Sequence, residues 1–222
     1  LFGIVAGIQH AMRRLQGQQG FGHGGRGRHA GGTDQHRAAA QSQGLGAGQL
    51  QLRGSGVIGR AGIRQVQRQR IAAAVMESLN VDEQTAHGLR TKYWRRYGAT
   101  MIGMVKHHGV SAQSFLHRSH SFDVKPLIRA ETGLAAKLNR LPGRKVLVTN
   151  APLHYARAVL KHLRILRCFD SLWGVEEMLV HGHYRPKPSV SIMRYILAHE
   201  GVSPRRAILV EDTLENLRGA RA

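Results

Sequence analysis

VLVTNAPLHYARAVL, residues 146–160, decides how this chain is read. The apolar run Val146-Leu147-Val148 stops at Thr149-Asn150, Pro152 follows, and a helical pattern begins. The run predicts a buried strand over 145–149, and the pattern after it a helix over 152–164. A strand that ends this way delivers a hydroxyl and an amide to the mouth of a sheet. A threonine there, beside backbone N–H groups at the start of a helix, suits a phosphate oxygen. A threonine ahead of a proline also suits a plain helix cap, and taken alone that is the commoner use.

The pattern continues on both sides. Downstream, SLWGV (171–175) reads as a strand, HGHYRPKPS (181–189) as a loop and 190–200 as a helix. AILVE (207–211) reads as a strand, with a helix starting at Leu214. Upstream lie only helical stretches: the end of one at 71–79, one capped by Asp82 and stopped by Gly98, one over 99–109, one capped by Ser111, and one over 131–141. Helices first and alternating strand and helix afterwards predict an α/β fold with a parallel sheet and a helical insertion ahead of it.

In such sheets ligands sit beyond the carboxyl ends of the strands. Three groups fall there. Thr149 ends the first strand of the alternating part. Lys187 sits in RPKP, where two prolines fix the course of the loop. A lysine held rigidly near anionic oxygens stabilises a transferring phosphoryl group, although an exposed loop lysine is the commoner occurrence. Glu211 and Asp212 close AILVEDT, and two hard carboxylates at a strand end suit Mg²⁺. The alternative is a helix cap at Asp212 or Thr213 with Glu211 in an ion pair.

Hydroxyl, lysine and acidic pair, in that order, resemble the second, third and fourth motifs of the haloacid dehalogenase (HAD) superfamily. VLVTN, YRPKPS and ILVEDT carry the resemblance. LPGRKVLVTNAPLHYARAVL, with YWRRYGAT upstream, is similar to the pyrimidine 5'-nucleotidase branch. The resemblance covers roughly residues 71–222 and implies a Rossmannoid parallel sheet (131–222) with a helical cap (71–130) ahead of residue 131. It implies an Mg²⁺-dependent phosphomonoester hydrolase acting on a small phosphate ester, a nucleotide, through an aspartyl phosphate. Thr149 would hydrogen-bond the phosphoryl oxygens and Lys187 would pair with charge there. Asp212 would bind Mg²⁺ with Glu211 nearby, and Asn150 would line the pocket.

The family's nucleophile belongs at the end of its first strand, in an apolar-Asp-x-Asp-x-Thr pattern, ahead of the cap. This chain has no such pattern, and its only acid before residue 71 is Asp34, in GGTDQHR. The core also stops at Ala222, before the strand with which the family continues. The expectation is a chain that does not turn over phosphate esters, either a HAD-fold pseudoenzyme or a misread gene. A sheet without its first and last strands would have exposed edges and would aggregate.

Residues 1–70 look unlike the rest. They hold ten arginines and one acid, are rich in Gly, Gln, Ala and His, and include GFGHGGRGRHAGG at 20–32. Such a segment has little to bury and is expected to be largely disordered. A wrong reading frame of GC-rich DNA gives the same composition, and that reading leads. The alternative is a nucleic-acid-binding tail, which the formal net charge of +20 invites. It is disfavoured because the tail is nearly free of aromatics for base stacking.

The single cysteine, Cys168, gives neither a disulfide framework nor a cysteine metal site. It fits a cytoplasmic protein and is read as core. No apolar run reaches the roughly 20 residues that cross a bilayer, so no membrane is expected. Trp94, Arg95, Arg96 and Tyr97 are read as helix core and solvated basic face. The alternative is contact with a base and its phosphate. His107 and His108 are adjacent on a helix and share no metal. His181 and His183 lack a third ligand.

Overall fold

The computed structural model describes residues 2–6, 60–211 and 214–219, the first five as backbone alone. A parallel sheet runs in the order β3-β2-β1-β6: β1 (Phe2–Ala6), β2 (Lys145–Val148), β3 (Ser171–Trp173) and β6 (Ala207–Val210). Val148 is level with Ala6, and Val5 with Val210. A two-stranded antiparallel ribbon, β4 (Leu179–Val180) with β5 (His183–Tyr184), stands apart from it.

β2 shows why the sheet is buried on both faces. Successive residues of a strand point to opposite sides. Val146 and Val148 pack with Trp173, Met178, Ile192 and Ile196, the last two on α7 (Val190–His199). Leu147, fully buried, faces the other way. It meets α5 (Leu134–Asn139) and α6 (Leu153–His162) through Leu138, Ala156 and Leu160. An apolar residue at every β2 position from 146 to 148 is what a sheet covered by helices on both sides requires.

Four helices form a second core: α1 (Arg60–Leu79), α2 (Glu83–Tyr97), α3 (Thr100–His108) and α4 (Ala112–His120). Val75, Tyr93, Met101, Met104 and Phe115 fill it, and Val175 and Tyr184 join it from the sheet side. Asp82 caps α2 by accepting from the Thr85 N–H at 2.7 Å, and Ser111 caps α4 by accepting from the Ser114 N–H. Gly98 ends α2 at φ +77°, a backbone shape that disfavours a side chain. A Cβ there would lie 3.3 Å from Pro186. The end of α2 therefore rests on the RPKP loop. A short helix, α8 (Leu214–Gly219), follows β6.

The structure corrects four expectations. A first strand is present: FGIVA, inside the stretch read as structureless, lies between β2 and β6. The helical part begins at Arg60 rather than near residue 71. Trp94 is not core. It is 59% exposed, while its neighbour Tyr93 is buried. Strand 171–175 is shorter than expected because a tight turn over Val175–Glu177 starts right after Trp173 and Gly174. The rest of the low-complexity segment, 7–59, with Asp34 and the proposed tail, lies outside the described residues. No helix among the described residues is long and apolar enough to cross a membrane.

Candidate functional site

The strands of the parallel sheet release their chains at one edge: Thr149 after β2, Gly174 after β3 and Glu211 after β6. β1 separates the first from the third. With strands about 4.8 Å apart, Thr149 and Glu211 stand on the order of 10 Å from each other.

Lys187 spans that gap. Its backbone is gripped by Asn150: Nδ2 donates to the Lys187 carbonyl at 3.0 Å, and the Lys187 N–H donates to Oδ1 at 2.9 Å. Its ammonium reaches Glu211 Oε2 at 2.9 Å. The lysine side chain is 8% exposed and the glutamate 2%. One residue thus links the β2 side of the mouth to the β6 side, across the two strands flanking β1. The sequence reading grouped Asn150, Lys187 and Glu211, and the structure brings them together. The paired amide–backbone contacts need the side chain of Asn150, which a sequence reading identifies only as pocket lining.

Thr149 is held at the same edge. Its N–H donates to the Trp173 carbonyl at 2.9 Å. Its Oγ1 accepts from the Ala151 N–H at 3.1 Å, a local turn, and Pro152 rather than Thr149 occupies the helix-cap position. A hydroxyl used as acceptor keeps its own proton to donate. Asp212 and Thr213 lie outside the described residues, so the second carboxylate of the acidic pair has no described position.

One carboxylate at this edge escaped the sequence reading. Glu176 Oε1 accepts from the Leu153 N–H at 2.7 Å, at the first turn of α6. Its Oε2 is buried with no hydrogen-bond partner among the described residues. A negative group on a helix N-terminus is favoured by the peptide dipoles. Consequently the start of α6 is not wholly open to phosphate, because one of its N–H groups already serves Glu176. The signal was the acidic pair in GVEE, which resembles a helix-start sequence and gives no hint of its partner.

The other candidates settle away from the mouth. His107 Nε2 bonds the Tyr97 hydroxyl at 2.6 Å and His108 Nε2 the Tyr93 hydroxyl at 2.7 Å, so the two rings serve separate tyrosines. Cys168 is buried in the core beside α6. Among the described residues no three His, Cys, Asp or Glu side chains converge as a metal site, His181 and His183 included.

A family model described as haloacid dehalogenase-like hydrolase matches residues 63–222. This chain belongs to that family. Solved structures of the fold are similar to it at low identity. A HAD phosphatase from Thermococcus onnurineus shares 19% identity over 72% of this chain and 74% of its own, with a TM-score of 0.45. The HAD-hydrolase YfnB from Bacillus subtilis, bound to magnesium, shares 14% over 71% and 78%, with a TM-score of 0.44. A haloacid dehalogenase-like protein from Agrobacterium tumefaciens shares 20% over 72% of each chain, with a TM-score of 0.42. Membership rests on the family match, which starts inside α1 and leaves β1 outside it.

HAD-like hydrolases generally use Mg²⁺. Magnesium demands several hard oxygen ligands in a near-octahedral set. Among the described residues the mouth offers Glu211 alone on the β6 side, and that carboxylate is in contact with the Lys187 ammonium. This donor set does not by itself fit the ion.

Proposed function

We propose that this chain is a HAD-type phosphate-ester binder, of the pyrimidine 5'-nucleotidase-like branch, that does not turn its ligand over. The supporting observation is the Asn150–Lys187–Glu211 chain across the sheet mouth, set beside a β1 with no carboxylate to serve. β1 holds the place between β2 and β6 where a nucleophilic aspartate would be carried. Its sequence is FGIVA, and Gly7, Ile8, Gln9 and His10 follow, without an acid.

In this reading the Thr149 hydroxyl donates to a phosphoryl oxygen and the Lys187 ammonium balances its charge. One of the three ammonium N–H groups serves Glu211, which fixes the lysine, and the others are available to the ligand. Binding without hydrolysis follows in this reading, since among the described residues no group is placed to attack phosphorus. The helices of 71–130 act as the cap, with the end of α2 resting on the lysine loop through Gly98 and Pro186.

Equilibrium dialysis of the full chain with labelled uridine and cytidine monophosphates, beside an assay of phosphate release with and without Mg²⁺, tests this. Saturable binding that is lost in Lys187→Ala, with no release above the blank, is expected. Steady release abolished by the same substitution would show an active enzyme. Absence of binding to any phosphate ester would remove the reading altogether.

A further inference from the structure

Among the described residues the longest stretch without an acid runs over 84–122, and it holds Arg90, Lys92, Arg95, Arg96, Lys106 and Arg118. Folding gathers part of this charge on one face. His87, Gly88, Thr91, Lys92, Arg95 and Arg96 line a shallow depression along α2. A Cβ at Gly88 would meet nothing within 4 Å, so the floor of the depression is open. Trp94 lies three residues after Thr91 and borders the same face, as helical neighbours do. Among the described residues it is the only exposed large apolar side chain in the four-helix part.

Of the residues lining the depression, His87 meets a carboxylate, Glu83 at 3.5 Å. Among the described residues Lys92, Arg95, Arg96 and Lys106 form no ion pair. Arg96 and Lys106 instead sit over the Tyr97 ring, at 5.6 and 5.7 Å from its centroid. His107, stacked on Tyr93, is held below its ordinary pKa, first by loss of solvent and then by Lys106, Arg96, His108 and Lys92. The end of α3 therefore adds its charge to that of α2.

We infer that the outer face of α2 binds single-stranded nucleic acid, with Lys92, Arg95 and Arg96 on successive phosphates and Trp94 stacked on a base. Cations in a row track a polyanion, and an exposed indole accepts any base, provided the base is unpaired. From Gly88 to Arg96 the helix rises about 12 Å, the reach of two or three nucleotides. A membrane surface is the poorer fit. A helix lying on lipid presents a whole apolar face, and this one presents a single tryptophan. The inference does not depend on the phosphate-ester reading of the sheet mouth.

The test is fluorescence anisotropy of the full chain with a labelled oligothymidylate across a salt series, alongside tryptophan emission. The chain has two tryptophans, and Trp173 is 8% exposed, so quenching on addition of the oligonucleotide reports Trp94. Three lost phosphate contacts should weaken binding about 100-fold at 0.1 M salt and flatten the log–log salt slope by about 2 in Lys92→Ala/Arg95→Ala/Arg96→Ala. Trp94→Ala should weaken it about 5- to 150-fold and abolish the quench. The control Arg157→Ala/Lys161→Ala, on α6, should change affinity by less than about twofold. Circular dichroism melts of each variant confirm folding. Equal binding by wild type and the triple variant would overturn the inference and move the activity to other basic residues, those of 1–59 included. Equal binding to heparin without quenching, or tighter binding to phosphatidylserine vesicles, would also overturn it.

Discussion

Asn150 and Lys187 hold each other through two hydrogen bonds in opposite directions, amide to carbonyl at 3.0 Å and backbone N–H to amide oxygen at 2.9 Å. A side-chain amide carries both a donor and an acceptor, so it can serve the C=O and the N–H of one residue at once. Asn150→Ala removes both contacts. Each is worth about 1 kcal/mol net, so a loss of about 1–3 kcal/mol is expected. Asn150→Asp keeps the acceptor and loses the donor, and should lie between wild type and alanine. Urea denaturation of the three proteins checks the order.

The Lys187–Glu211 pair is nearly sealed from water. Glu211→Leu leaves the Lys187 ammonium buried against an apolar side chain and should cost about 3–5 kcal/mol, and Lys187→Met should also destabilise. The double variant Lys187→Met/Glu211→Leu should regain most of that, because the desolvation of both charges disappears together. A double-mutant cycle measured by denaturation decides it. A double cost equal to the sum of the two single costs would mean that the pair adds nothing beyond packing.

His120 is pushed down to about 4, chiefly by burial and then by His154, with a hydrogen bond near Leu116 opposing. Its folded pKa is below the unfolded value of about 6.5, so the unfolded chain binds more protons between the two. Its contribution is fully present above about pH 6.5 and is lost as pH falls toward 4. The change is on the order of 3 kcal/mol. Melting temperature followed from pH 7 to 4 should fall steeply in wild type and less so in His120→Gln. Parallel curves would exclude His120 as the source.

Two glycines of the helical part should respond in opposite directions. A Cβ at Gly103 would lie 2.1 Å from the Tyr93 ring, and the two residues hold α2 against α3. Gly103→Ala should destabilise by about 1–3 kcal/mol. Gly88 sits mid-helix with open space around it, and Gly88→Ala should stabilise by about 0.5–1 kcal/mol. Thermal melts of the two variants distinguish them at once.

Local pattern carried much of this fold. Val146–Val148 could be read as a buried strand because a doubly covered strand is apolar at every position, and Asp82 and Ser111 mark their helices by capping chemistry that is wholly local. β1 was not readable. FGIVA is short, and its partners lie at 145–148 and 207–210, beyond any window of sequence. The site divided in the same way. Thr149, Lys187 and Glu211 stood out as residue types at element ends. The grip of Asn150 on Lys187 and the seat of Glu176 on α6 join segments 37 and 23 residues apart, and only packing reveals them. Trp94 was misjudged because a helical repeat alone did not tell which of Tyr93 and Trp94 faces inward.

The middle position of β1 bears on how the protein is made. This strand leaves the ribosome ahead of both its neighbours, β2 at residues 145–148 and β6 at residues 207–210. Until residues 145–148 emerge its backbone donors and acceptors have no strand to pair with, and β2 and β6 could later meet edge to edge and close the gap it must enter. Such late insertion makes folding slow and leaves strand edges open to other chains. The nascent protein should therefore depend on a holding chaperone more heavily than the finished one, and refolding from denaturant should slow when β1 is weakened.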